Sequence, residues 1–437
     1  MTWDELRAKT DAMLEGWKAE MMADIAALVA IPSLHGDRAE NTRALDFVLA
    51  RAEALGMRTF TTAEHDVGVA EIGDGDAAVG ILAHVDVVDV GDLGKWRFPP
   101  YDCREADGYL WGRGTEDDKG PVIMGLYAMR AMAALELPLS KRVQLIIGTC
   151  EEGVWSDIDH YKTQFPLPDY GFTPDGAFPI GHGENGYADV CLTFREQGLE
   201  RIEALRAGKS PNTVPSLATV KMIGGEERAY HGRAVHSSAP HLGDNAIVKL
   251  CREDAAIQGF AFCRFINRYL AGDSPTQGLG IDDGGTVFEG RPVGPSRASA
   301  TVLEKDGDAV TLNINFRQRF GVTRQGIEAA FSALAEAYGF TYNIPDMLEP
   351  VYTDNDQPPF RLMDAVQQEY GLPGGFHVDV GSSYVKAMPN MVSWGPILPK
   401  DGYAHMENER YGIDIMMTAT KAYCSWLVRD ALNIGAV

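Results

Sequence analysis

Hydrophobic residues recur along the chain with two different periods, and each period predicts a different kind of element. Residues 77–88 (AAVGILAHVDVV) and 142–149 (RVQLIIGT) are nearly continuous apolar runs, which is typical of strands buried on both faces. Between them, residues 120–135 (GPVIMGLYAMRAMAAL) predict a helix with Pro121 in its first turn. A further helix is predicted at the N-terminus as far as Pro32. Strands that alternate with helices in this way predict βαβ units and a mostly parallel sheet.

The pattern changes after about residue 187. Apolar and polar residues alternate strictly over 309–317, which predicts a half-buried antiparallel strand with Arg317 on its polar face. Residues 323–340 then predict an amphipathic helix without the earlier alternation of strand and helix. This part of the chain therefore has the pattern of a separate α+β domain.

The length of 437 residues also exceeds what one ordinary core accommodates. We therefore predict an α/β protein of two domains. Residues 1–187 and 356–437 form a discontinuous domain with a mostly parallel sheet, and residues 188–355 form an inserted α+β domain. A long closing helix is expected over 407–432.

Composition and charge exclude several classes of protein. With 45% hydrophobic and 23% charged residues the chain is globular, and a formal net charge of −23 argues against binding nucleic acid. No apolar run approaches the length that spans a bilayer, and the acidic, amphipathic N-terminus lacks the features of a secretory signal. We therefore expect a cytoplasmic protein. The six cysteines show no CxxC pairing, so a metal would have to be held by histidine and carboxylate.

Acidic and imidazole side chains cluster where the predicted strands end, and ligands of parallel sheets bind at those ends. Alone, each has an ordinary explanation as a turn residue, a solvated surface pair or a helix cap. Their joint occurrence in chain order favours one shared site. The residues are His84, Asp86, Asp117, Asp118, Glu151, Glu152, Asp175, His405 and Glu409.

This set suits two divalent metal ions. Imidazole nitrogen and carboxylate oxygen are common ligands of such ions, and a bridging carboxylate lets five groups hold a pair. Metals of this kind lower the pKa of water to about 7, so that hydrolysis proceeds at neutral pH if a carboxylate accepts the proton. The adjacent Glu151 and Glu152 could supply one ligand and one general base.

Five motifs together resemble the M20 family of dinuclear metallopeptidases: ILAHVDVV, GRGTEDDKGP, GTCEEG, GFTPDGAFP and AHMENE. The segments NTVPSLA, GRAVHSSAPHLGDNA, LNINFR and GSSYVKAMPN resemble its PepV-like dipeptidase branch. The resemblance covers nearly the whole chain. It implies a metallopeptidase catalytic domain with a mostly parallel sheet and an inserted lid domain.

The resemblance also implies a role for each residue. Glu151 would be the general base, and Asp86 would hold the ring of His84. Asp118 would follow the bridging residue across a cis peptide bond, and Glu409 matches a family position without an assigned role. The implied metal ligands are His84 and Asp175 for one ion, Glu152 and His405 for the other, and Asp117 as the bridge.

In the lid, the resemblance implies that His236 stabilises the oxyanion and that Asn212 and Arg317 bind the free carboxylate of the substrate. Arginine suits that task because its planar guanidinium pairs with both carboxylate oxygens. An enlarged lid in this branch supplies the histidine within one chain, so a monomer is expected.

We therefore predict a metal-dependent exopeptidase that hydrolyses small peptides, above all dipeptides. Its cofactors would be two divalent metal ions, with zinc as the first expectation and manganese or cobalt as alternatives. Ser383 and Lys386 depart from the branch pattern and bear on pocket specificity. The alternative function is deacylation of N-acyl amino acids, of the desuccinylase or aminoacylase type. A binding protein without catalysis is disfavoured because no implied ligand is missing.

Overall fold

The computed structural model describes residues 2–272, 275–288, 290–399 and 402–434. They form two compact units. Unit 1 comprises Met1–His182, Thr353–His377 and Ser383–Val437, and unit 2 comprises Gly183–Tyr352 and Val378–Ser382. The sequence analysis placed the domain boundaries at 187/188 and 355/356. It assigned residues 378–382 to the first domain, whereas the structure places them in unit 2. The interpretation of unit 2 as a lid stays a prediction.

Unit 1 is an α/β structure built on a mixed sheet. Its strands are Arg58–Thr61, Gly68–Ile72, Ala77–His84, Arg104–Ala106, Tyr109–Trp111, Lys141–Gly148, Tyr170–Thr173, Met391–Ser393 and Arg410–Gly412. Its helices are Trp3–Val29, Arg38–Ala54, Lys119–Ala133, Ser156–Gln164, Pro358–Glu369 and Ile413–Ala431, with short 3₁₀ turns at Leu93–Lys95 and Tyr384–Ala387. Three further strands contain or adjoin the points where the chain passes between the units: Ile180–Glu184, Val351–Tyr352 and Phe376–Asp379.

The centre of the main sheet is parallel, as the continuous apolar runs predicted. Ala77–His84 lies between Lys141–Gly148 and Tyr170–Thr173 and is parallel to both, and Met391–Ser393 continues the parallel order. The strands outside this centre pair antiparallel. In the register, His84 lies opposite Gly148, so the residues that follow these two strands emerge at the same edge of the sheet.

One hydrophobic core stabilises unit 1. It combines the inward side chains of the sheet with five helices: Trp3–Val29, Arg38–Ala54, Lys119–Ala133, Pro358–Glu369 and Ile413–Ala431. The helix Lys119–Ala133 is buried along nearly its whole length, which explains its apolar sequence. It begins immediately after Asp118, so the same packing that buries the helix fixes the loop before it at the edge of the sheet.

Unit 2 is an α+β structure with its own core. Its strands are Gly186–Phe194, Ile202–Ala207, Thr213–Val214, Leu217–Met222, Glu227–His231, Val235–His236, Val287–Phe288, Arg291–Pro292, Arg297–Asp306, Ala309–Gln318 and Phe340–Leu348. Its helices are Ala246–Glu253, Ala261–Phe265, the π-helical Ile266–Leu270, Pro275–Gly278 and Arg324–Tyr338. Seven of the strands form one antiparallel sheet.

Two predicted elements differ in detail from the structure. The closing helix begins at Ile413 and not at 407, because Arg410–Gly412 first forms a strand that pairs with Tyr109–Trp111. The strand Ala309–Gln318 has the predicted apolar face, but its polar face is also largely buried. On that face, Asn315 satisfies its buried amide by donating a hydrogen bond to Asp189.

The predicted fold class is confirmed, with an α/β first unit whose sheet has a parallel centre. Among the described residues, no helix combines the length and the apolar character that crossing a bilayer requires.

Candidate active site

The ends of the central strands bring five predicted ligands together in unit 1. His84 is the last residue of its strand, Glu152 follows Lys141–Gly148, and Asp175 follows Tyr170–Thr173. Asp117 precedes the helix Lys119–Ala133, and His405 lies in the loop before the closing helix. These residues form two groups whose possible ligand atoms all lie within 4.8 Å of one another: His84 with Asp117 and Asp175, and Asp117 with Glu152 and His405.

Asp117 belongs to both groups, and each of its carboxylate oxygens faces a different histidine. Its Oδ1 lies 3.1 Å from His84 Nε2, and its Oδ2 lies 3.0 Å from His405 Nε2. Asp175 Oδ2 lies 3.8 Å from the same His84 nitrogen, and Glu152 Oε1 lies 2.9 Å from His405 Nε2. This is the arrangement that a carboxylate shared by two cations requires. The peptide bond between Asp117 and Asp118 is cis.

The donor set fits metal ions. Two of its buried atoms, His84 Nε2 and Asp117 Oδ1, make no hydrogen bond with any described residue. Buried polar atoms normally have a hydrogen-bond partner. Two neighbouring buried atoms without one therefore indicate that a bound ligand acts as their partner. The other ring nitrogen, His84 Nδ1, lies 3.0 Å from the backbone oxygen of Asp86. Because a carbonyl only accepts, this contact leaves Nε2 with its lone pair available to a cation.

Electrostatics also favour positive charge at this place. Hydrogen bonds to Asp117 and Glu152 raise the pKa of His405 to about 11. Burial alone would raise the pKa of Asp117, but the two histidines that face its oxygens hold it below its ordinary range. In the absence of metal, protons on these histidines therefore compensate the negative charge of the carboxylates. Metal binding would displace such protons.

Glu151 lies beside the two groups but belongs to neither of them. It is buried, and burial followed by the charge of Asp175 raises the pKa of its carboxyl well above the ordinary value. Glu152 lies against His405 and Glu151 does not, so the structure distinguishes two adjacent acids whose roles the residues alone left open and the family resemblance assigned.

Asp86 is more central than the sequence suggested. Its carboxylate accepts the backbone N–H groups of Glu151 and Glu152, both at 3.1 Å. It lies 3.3 Å from the His84 ring, which is farther than its own backbone oxygen. Its second oxygen also contacts His35, which the sequence did not single out. Asp86 therefore positions the glutamate loop as well as the histidine.

Other buried carboxylates hold the remaining loops through backbone N–H groups. Glu409 Oε1 accepts from Gly114, Glu116 and Asp117, and its Oε2 lies 2.5 Å from Arg113 Nη1. This gives a positioning role to the residue that matched the family without one. Three other buried carboxylates accept backbone N–H groups in the same way. Glu116 accepts from Tyr403 and Ala404, Asp118 from His84, and Asp157 from Thr149 and Cys150.

Packing leaves little room at the base of the glutamate loop. Gly148 lies against the Tyr384 hydroxyl and Asp157, and a side chain there would collide with both. Tyr384 in turn donates a hydrogen bond of 2.6 Å to Asp157, which the sequence could not reveal because the two residues lie 227 positions apart. The loop that carries Glu151 and Glu152 is thus held from several directions.

In unit 2, two of the predicted substrate residues lie at a short two-stranded ribbon, and the third lies in the large antiparallel sheet. His236 and Thr213, the residue after Asn212, are paired in a short ribbon of two strands. Arg317 lies in the large sheet between Tyr187 and Arg297, and its charge contributes to lowering the pKa of His236 after the effect of burial.

Arg317 is nine-tenths buried without an ion pair to any described acid. Its guanidinium lies 4.9 Å from the Tyr187 ring, and its Nε makes no hydrogen bond with a described residue. A buried guanidinium of this kind is costly unless a ligand pairs with it.

Comparison with known proteins gives consistent matches. A model of peptidase family M20/M25/M40 matches residues 80–429. "Putative dipeptidase YtjP" of Bacillus subtilis (strain 168) is 28% identical over 412 residues, 83% of this chain and 86% of that protein. A protein named as a putative dipeptidase in Staphylococcus aureus (strain bovine RF122 / ET3-1) is 25% identical, with 94% and 97% covered.

Solved structures share the fold. Human carnosine dipeptidase 1 superposes with a TM-score of 0.65 at 17% identity, over 98% of this chain and 99% of that one. Aminoacylhistidine dipeptidase from Vibrio alginolyticus gives a TM-score of 0.65 at 15% identity, over 93% and 95%. Both likenesses extend over essentially whole chains, so they include both units of the fold.

Proposed function

Because the chain belongs to peptidase family M20/M25/M40, as its motifs predicted, we propose that it is a dinuclear metallopeptidase that cleaves dipeptides. The observation that carries the proposal is the pair of ligand groups that share Asp117. The dipeptidase names of its relatives support the choice of substrate.

Two divalent cations, with zinc expected first and manganese or cobalt as alternatives, would polarise the scissile carbonyl and make water more acidic. His84 and Asp175 would hold one ion, Glu152 and His405 the other, and Asp117 both. Asp86, Asp118, Glu116 and Glu409 act through backbone N–H groups. They keep in place the segments that carry four of these ligands: Glu152, His84, His405 and Asp117.

Glu151 is proposed as the general base. It accepts a proton from the attacking water and gives it to the nitrogen of the leaving amine, so that the C–N bond breaks without releasing an amide anion. The support for this role is its burial beside the ligands and its position outside both ligand groups, which leaves its carboxylate available to a water.

The proposal assigns to unit 2 the residues that bind the scissile carbonyl oxygen and the free carboxylate of the substrate. His236 would donate a hydrogen bond to the oxygen that gains charge, and Arg317 with Asn212 would bind the free carboxylate. The burial of Arg317 without a partner acid supports this assignment. The monomer that the enlarged lid of the branch implies and the cytoplasmic location both stay predictions.

The first test replaces Glu151 by alanine. We expect bound metal to be retained and kcat for a dipeptide to fall by a factor of about 10² to 10⁴. Glu105→Ala, at an exposed position of the same unit, is the control and keeps full activity. A Glu151→Ala protein as active as the control would refute the assignment.

The second test addresses the substrate class. A panel compares dipeptides, dipeptide amides and N-acyl amino acids after chelation and re-addition of Zn²⁺ or Mn²⁺. We expect Arg317→Met to lower kcat/KM for free dipeptides by about 10- to 100-fold and to leave the weak hydrolysis of amides unchanged. Arg195→Met, at an exposed arginine, is the control. Faster turnover of N-acyl amino acids than of any dipeptide would favour the deacylase alternative.

A further inference from the structure

The loop after the ribbon strand Val235–His236 folds back on the histidine itself. The backbone N–H of Ser238 donates to His236 Nδ1 at 3.2 Å, and the Ser238 hydroxyl lies 2.7 Å from the same nitrogen. A backbone N–H only donates, so Nδ1 must accept and cannot carry a proton of its own. The neutral ring therefore carries its proton on Nε2.

The donor of this hydrogen bond is itself held in place. Arg297 donates to the backbone oxygen of Ser238 at 2.9 Å and to His241 Nδ1 at 2.7 Å. Arg297 lies directly opposite Arg317 in the antiparallel sheet. The loop that sets the His236 ring is thus anchored to the strand pair that carries the buried arginine.

The charge state agrees with this geometry. Burial, with the positive charge of Arg317, lowers the pKa of His236, so the ring is neutral near neutral pH. A neutral ring with the proton on Nε2 is an N–H donor at its outer nitrogen. The other tautomer would present a lone pair there and would repel a developing oxyanion.

We propose that Ser238 is a positioning residue that fixes the Nε2–H tautomer of His236, so that this histidine can donate to the substrate's carbonyl oxygen. The inference rests on the proposed function for its catalytic consequence. Its structural part concerns the free protein and does not depend on the substrate.

The test begins with nitrogen NMR of ¹⁵N-labelled protein without substrate, with the His236 signals assigned by their loss in His236→Gln. We expect the Nδ1 shift of an unprotonated nitrogen and the Nε2 shift of a protonated one. Ser238→Ala removes the closer donor, the hydroxyl at 2.7 Å, and leaves only the backbone N–H at 3.2 Å, so we expect a shift toward a mixture of tautomers. Ser238→Thr restores the hydroxyl and the wild-type shifts.

The matched control is Ser237→Ala, because the Ser237 hydroxyl is buried and makes no hydrogen bond with a described residue. Kinetics on a dipeptide should show about three- to tenfold lower kcat for Ser238→Ala with nearly unchanged KM, rescue by Ser238→Thr, and wild-type rates for Ser237→Ala.

The two readouts separate the possible failures. Two results would overturn the inference even if dipeptides are hydrolysed. One is a protonated Nδ1 in the wild-type protein, and the other is that the nitrogen shifts of His236 do not change in Ser238→Ala. Altered shifts with an unchanged kcat would overturn the positioning role. The expected shifts in a protein that hydrolyses no dipeptide would support the tautomer assignment and refute the proposed function instead.

Discussion

At the scale of single residues, burial decides how each charged group behaves. Lys119 is fully buried at the start of its helix, and its ammonium nitrogen lies 2.5 Å from the backbone oxygen of Ile31. Burial lowers its pKa to about 7. An unfolded chain would hold the proton up to a pH of about 10. Between these values the unfolded state binds more protons than the folded state, so stability rises with pH.

We therefore predict that Lys119→Met removes a pH dependence from the metal-free protein. From pH 7 to about 10, wild type should gain free energy of unfolding relative to the variant, because only wild type must release this proton on folding. Urea unfolding at four pH values measures the effect. Lys162→Met, at an exposed lysine, should follow wild type. Parallel curves for wild type and Lys119→Met would contradict the prediction.

The sequence predicted the ligand residues because metal-binding chemistry restricts side-chain type and because strand ends can be recognised from apolar runs. It did not predict which carboxylates hold the loops. Glu116 and His35 carry no local signal, since their partners lie far away along the chain. Asp157 holds the nearby Thr149, but its contact with Tyr384 is 227 positions away. The family motifs drew attention to Glu409, but only its three N–H contacts reveal what it does.

At the scale of elements, the strands and helices provide direction while buried carboxylates fix the loops between them. Boundaries near such loops were predicted least well. The closing helix was expected from residue 407, yet Asn408 has a positive φ of 66° and Arg410–Gly412 is a strand. Local helical periodicity could not reveal a pairing with Tyr109–Trp111, because that contact is set by the tertiary fold.

Tyr384 tests the importance of this loop support. Tyr384→Phe removes one donor from the Asp157 oxygen that also accepts from Thr149 and Cys150. We predict about tenfold weaker metal affinity, because the glutamate loop is held less firmly. Titration calorimetry with Zn²⁺ or Mn²⁺ measures it.

The matched control for that loop variant is Tyr127→Phe, since the buried Tyr127 also donates to a carboxylate, Asp24, which holds no ligand loop. Both variants should lose some thermal stability. Equal metal affinities for the two would show that the loop does not depend on Tyr384.

At the scale of the whole molecule, two separate cores imply two cooperative units. All five proposed metal ligands belong to unit 1. A cation that binds only the folded form stabilises that form by mass action.

We predict that chelation destabilises unit 1 selectively. At a free metal concentration 100 times Kd, each bound ion stabilises by about 2.7 kcal/mol, which EDTA would remove. Hydrogen exchange followed by mass spectrometry should show faster exchange for peptides of the central parallel strands and unchanged exchange for the sheet of unit 2. Equal acceleration in both units would contradict the prediction.

The hold of Glu409 on the Asp117 loop has a consequence for biosynthesis. The two residues are 292 positions apart, so a ribosome must add all of the residues from Asp117 to Glu409 before this loop can take its final form. A nascent chain that ends before Glu409 would have the parallel strands of the sheet but would lack the carboxylate that holds the Asp117 loop. We therefore expect the hydrolase to gain activity only after Glu409 has been synthesised and has fixed this loop.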